Sequence, residues 1–119
     1  MPTIHTLGPP YKRTEFTYTG SVKDGVILEI PGRPRISAEF FNAIMHEFQG
    51  ETIPGGFSST IPAPGGLGLW VKENSPRINQ VRLSPRHASF IASILVHEGF
   101  ITSSFDRNAI ILHFPKRNT

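Results

Sequence analysis

Two stretches of the chain open and close alike. Arg35-Ile36-Ser37 leads into an amphipathic run ending in His46-Glu47, and Arg82-Leu83-Ser84 leads into a second run ending in His97-Glu98-Gly99. Each run follows a segment with strand-like character. A recurrence of this kind constrains the fold strongly, because a repeated strand–strand–helix unit must bury its apolar faces against its own copy. Each half is near the lower size limit for a lone fold, so the halves are expected to share one core.

Local periodicity fills in the units. From Arg13 to Thr19 the residues alternate, with Thr14, Phe16 and Tyr18 on one side, as in a half-buried strand. Lys23-Asp24-Gly25 reads as a tight turn, since Asp-Gly accepts positive backbone angles, and Val26 to Ile30 reads as the return strand. Ser37 is placed to cap a helix whose Phe41, Ile44, Met45 and Phe48 share one face, and Gly50 is placed to stop it. In the second half Leu67, Leu69 and Val71 alternate, Asn74-Ser75-Pro76 reads as a turn, and Asn79 to Leu83 reads as a return strand. Ser84-Pro85 then suits the cap and first position of a helix running to Glu98. Its small-residue face, Ser89, Ala92, Ser93 and Val96, is expected to be covered by protein. Phe100 to Ser104 and Ala109 to Phe114 form a hairpin about Asp106-Arg107-Asn108.

The expected fold is α+β: a mainly antiparallel sheet of about six strands with two helices, built from the duplicated unit plus a C-terminal hairpin. Residues 1–119 form a single domain. It comprises an irregular leader (1–11), the first unit (12–50), a Gly/Pro-rich loop (51–66), the second unit with its hairpin (67–114) and a tail (115–119). A structureless loop of that length inside a domain is uncommon.

Composition narrows the function classes. Twelve Lys and Arg against nine Asp and Glu give a formal charge of +3, and the sequence pI is near 9.7. This mild basic excess permits a nucleic-acid partner without demanding one. The chain has no cysteine, which excludes thiolate nucleophiles and Cys-based zinc sites and fits a cytoplasmic location. No apolar run reaches the roughly 20 residues of a membrane span, and no signal peptide opens the chain.

Chemistry-bearing residues concentrate at the two helix starts. An arginine beside unpaired helix amides adds a forked donor for phosphate. The residues expected to contact DNA or RNA are therefore Arg33, Arg35, Lys72, Arg77, Arg82 and Arg86, with Phe57 of the long loop as a further contact. The alternative is a protein-interaction or homo-oligomerisation module that binds no nucleic acid. His46 and His97 are each followed by Glu but lack the spacing of a zinc protease, and no nucleophile–base pair is evident. The expectation is accordingly a non-enzymatic domain without metal or cofactor.

Overall fold

A computed structural model of the protein describes residues 3–7, 13–58, 60–61, 63–106 and 109–116. In chain order these form β1 (Thr3–His5), β2 (Glu15–Ser21), β3 (Gly25–Leu28), β4 (Arg35–Ile36), α1 (Ala38–Glu47), β5 (Thr52–Pro54), α2 (Leu67–Ile78), α3 (His87–His97), β6 (Thr102–Asp106) and β7 (Ala109–His113). The architecture is α+β with antiparallel pairing throughout. The strands divide into two sheets, in the orders β1-β2-β3-β4 and β5-β7-β6.

The first half follows the expected pattern. Phe16 and Tyr18 are buried on β2, Val26 and Leu28 are buried on β3, and Tyr18 pairs with Leu28 in register. Gly25 has φ 93°, as the Asp-Gly turn requires. Ser37 caps α1 by accepting from the Phe40 amide at 3.1 Å. Phe40, Phe41 and Ile44 are fully buried beneath it, each stabilising the fold by about 1.5–3 kcal/mol. The hairpin reading of the C-terminus also holds, with Phe105 opposite Ile110. Residues 107 and 108 of its turn, 1–2 and 8–11 of the leader and 117–119 of the tail lie outside the described residues.

The second half departs from the duplicated unit. The expected strand at 67–72 and turn at 74–76 are together one helix, α2, and residues 79–83 form no strand. Leu67, Val71 and Ser75 are buried at helical spacing, so the alternation of Leu67, Leu69 and Val71 is incidental to a period of four. Pro76 sits in the last turn on the exposed side, where water can satisfy the carbonyl that loses its amide partner. Leu83 is buried, but its backbone is held by one side chain rather than a strand. The Ser75 hydroxyl accepts from the Leu83 amide at 2.8 Å and donates to its carbonyl at 3.4 Å. The described residues therefore contain three helices and seven strands in two sheets, not six strands and two helices repeated.

Further corrections concern the leader, the loop and the second cap. Thr3–His5 of the leader pairs with β2, and Thr52–Pro54 of the loop pairs with β7. The rest of the loop is tied at its base, with the Gly55 amide donating to Ile110 and the Gly68 amide to Gly55, both at 2.9 Å. A Cβ on Gly68 would overlap the Gly56 carbonyl oxygen, so only glycine lets α2 start against this loop. Ser84 heads a turn before α3, and Arg86 occupies the cap position without a side-chain bond to the helix. The Ser84 amide instead donates to His87 Nδ1 at 3.0 Å.

One core joins both sheets. α3 is its centre, with Ala88, Phe90, Ile91, Ala92, Ser93, Ile94 and Leu95 all buried. Of the small-residue face, Ala92 and Ser93 are buried within the chain and Ser89 and Val96 are half-buried, with α3 packed on α2 and β1. Phe16 of β2 meets Phe90 edge-on at 4.8 Å. At the other end of α3, Glu98 accepts from the Tyr18 hydroxyl at 2.7 Å and from the Val22 amide at 3.0 Å.

Candidate functional site

The predicted basic residues fall into three places. Arg33, at φ 41° in the β3–β4 turn, donates to Glu29 at 2.9 Å in an exposed ion pair. Its charge is thereby largely matched.

Arg35, Arg77 and Arg82 lie about one buried joint. Asn79 ends α2 and is 2% exposed. Its Nδ2 donates to the Arg35 carbonyl at 2.8 Å and the Val81 carbonyl at 3.2 Å, and its Oδ1 accepts from the Ser37 amide at 2.7 Å. The β4–α1 junction is so held against the α2–α3 connection that carries Arg82. Arg77 donates to Asn74 one turn back on α2. Lys72 is exposed on the same helix. The start of α1 is less suited to an anion than its cap suggests, because Asp24 and Glu39 line the same depression as Arg35.

Arg86 and Phe57 come together elsewhere, in a cleft between the sheets. Its two lobes hold about 430 and 460 Å³ and share Thr6, Leu7, Phe105 and Ile110. The wall on one side is β1 and the residues after it. On the other side stands the β6–β7 hairpin, with the loop around Phe57 and the start of α3 closing one end. The Phe57 ring lies over Gly55, where a Cβ would collide with it. Among the described residues no carboxylate lines either lobe, whereas Arg13 lines one and Arg86 the other. Burial, and then the Arg86 charge beside it, hold the His87 pKa below the usual histidine value. The imidazole thus stays neutral to accept the Ser84 amide.

Sequence reasoning did not single out this cleft. Its contributors are spread from residue 5 to residue 110; of them the sequence pointed to Arg86 and Phe57, but not to their meeting. Trp70 stacks on Phe40 with ring centres 5.5 Å apart and contacts Phe48 edge-on. His46 and His97 are both exposed in the last turns of their helices. No helix among the described residues is long and apolar enough to cross a membrane. No protein-family model matches this chain, and neither a curated protein nor a solved structure shows significant similarity to it.

Proposed function

We propose that this chain is a nucleic-acid-binding domain that holds its partner through phosphate contacts. The observation that carries the reading is the state of its cations. The side chains of Arg35, Lys72, Arg82 and Arg86 are without a hydrogen bond or ion pair among the described residues. Unmatched surface guanidinium groups are the donors that a polyanion recruits, and their engagement releases counterions.

The test is fluorescence anisotropy with labelled DNA and RNA across 50–200 mM salt. Binding falls steeply as salt rises, and each phosphate contact contributes roughly 0.9 to the log–log slope on duplex or roughly 0.7 on single strands. Reversing Arg82 and Arg86 together to Glu lowers affinity and flattens that slope while the fold persists, because exposed charges contribute little to stability. Salt-independent binding, or none at low salt, refutes the proposal.

A second reading, the interaction or homo-oligomerisation module, is favoured by Ile61. It is 82% exposed on the long loop and, with Phe100 and Phe105, is one of three large apolar side chains left exposed among the described residues. The eluted mass of the purified chain separates the two readings.

A further inference from the structure

We infer that the cleft between β1 and the β6–β7 hairpin holds an unpaired nucleic-acid strand, with a base stacked on Phe105 and phosphate drawn to Arg86. This rests on the nucleic-acid reading above and adds which form of nucleic acid is bound and where.

Three observations converge on it. The first is charge. The two lobes share four lining residues, Arg86 stands in the one that holds Phe57 and Phe105, and among the described residues no carboxylate lines either, so the field beside Arg86 favours a polyanion.

The second is aromatic display. Phe105 is 47% exposed on an edge strand, and Phe57 lines the same lobe. Every base has a face that stacks on such rings, and base–aromatic stacking beside cations is how single strands are gripped without sequence readout.

The third is the shape of what remains available. α2 and α3 are consecutive packed helices followed by a hairpin, and in helix–turn–helix proteins the second helix of such a pair enters the major groove. Here that helix is the centre of the core, buried along most of its length beneath β1 and α2. No free face of α3 is left for a duplex groove, whereas a concave, aromatic-lined channel suits a strand whose bases are splayed.

The experiment measures binding of the full chain to a fluorescein-labelled mixed-sequence oligonucleotide, about 20 nucleotides long, as single-stranded DNA, as single-stranded RNA and as the matching duplex. The parent protein binds the single strands more tightly than the duplex. Phe105→Ala weakens single-strand binding roughly 5- to 100-fold at every salt concentration with the salt slope unchanged, as loss of one stacked base requires. Arg86→Ala weakens it and lowers the slope by roughly 0.7. Phe105→Trp restores binding and adds a fluorescence signal that single strands quench. Equal affinity for duplex and single strand, with Phe105→Ala matching the parent, overturns the inference and leaves the broader reading standing. Failure to bind any of the three oligonucleotides overturns both. If Phe105→Ala instead converts a dimer to a monomer and no oligonucleotide binds, the cleft belongs to a second copy of the chain.

Discussion

Asn79 is the residue whose replacement should do the most damage for its size. Its amide makes three hydrogen bonds, to the Ser37 amide and to the Arg35 and Val81 carbonyls, while only 2% exposed. Truncation to Ala strands the part-buried Ser37 donor, at about 1–3 kcal/mol, and frees two carbonyls that water reaches more easily, at about 0.5–1 kcal/mol each. The expected loss is about 2–5 kcal/mol, equivalent to a fall of about 1–2.5 M in the urea midpoint at a slope of about 2 kcal/mol per molar. Asn79→Asp is the sharper probe because it keeps the shape. It leaves the Ser37 bond intact and sets a carboxylate oxygen against two carbonyl oxygens, so it should equal or exceed the cost of Ala at neutral pH and recover as acid protonates it. Trp70, stacked on Phe40 between α2 and α1, reports the transition through its fluorescence. Midpoints of both variants within about 0.2 M urea of the parent would show that this joint is not what holds α2 to the first sheet.

Three other outcomes follow from features already described. Tyr18→Phe removes a hydrogen bond to the Glu98 carboxylate and should cost about 1.5–3 kcal/mol. Burial first, then the Glu98 hydrogen bond and charge, hold the Tyr18 pKa well above the usual phenol value, so its stabilisation is complete below about pH 10 and declines as pH rises beyond it; urea midpoints of the variant should be flatter across that window. The lowered pKa of His87 has the opposite sign: its contribution is present above about pH 6.5 and is lost on acidification, and His87→Gln should reduce the acid slope of stability. Gln80 holds φ 61° just after α2, and Gln80→Gly should raise the thermal midpoint by a few degrees, corresponding to about 1 kcal/mol; an unchanged or lower midpoint would refute that strain.

The first half of the fold could be read from sequence because its signals are local. The Asp-Gly turn, the Phe16/Tyr18 alternation and the Ser37 cap each act within a few residues, and each stands in the structure. The second half could not, because distant contacts decide it. α2 contains Gly68 and Pro76, which lower its intrinsic propensity, yet Gly68 is there to let the Gly56 backbone approach. Leu83 reads as a strand residue because it alternates with Val81 and is buried, but a serine hydroxyl takes the place of a neighbouring strand. The strands β1 and β5 are three residues each, too short for alternation to register, and both owe their form to partners found elsewhere in the chain. The candidate residues divided in the same way. Arg35 is tied to the α2–α3 connection through Asn79, to which no sequence pattern drew attention, and Arg86 and Phe57 meet in a cleft assembled from several separate segments.

The bond from Tyr18 to Glu98 spans 80 residues, and that from Val22 to Glu98 spans 76. During synthesis the β2–β3 hairpin leaves the ribosome early, with Phe16 and Tyr18 facing a helix that does not yet exist. At roughly 5–20 residues per second, the hairpin waits on the order of 4–16 s before α3 arrives to cover it. Closing so distant a contact is also what slows refolding of a complete chain. The first sheet is therefore completed only by α3: loss of α3 would take the first sheet with it, and until α3 is made Phe16 and Tyr18 stay uncovered and prone to aggregate.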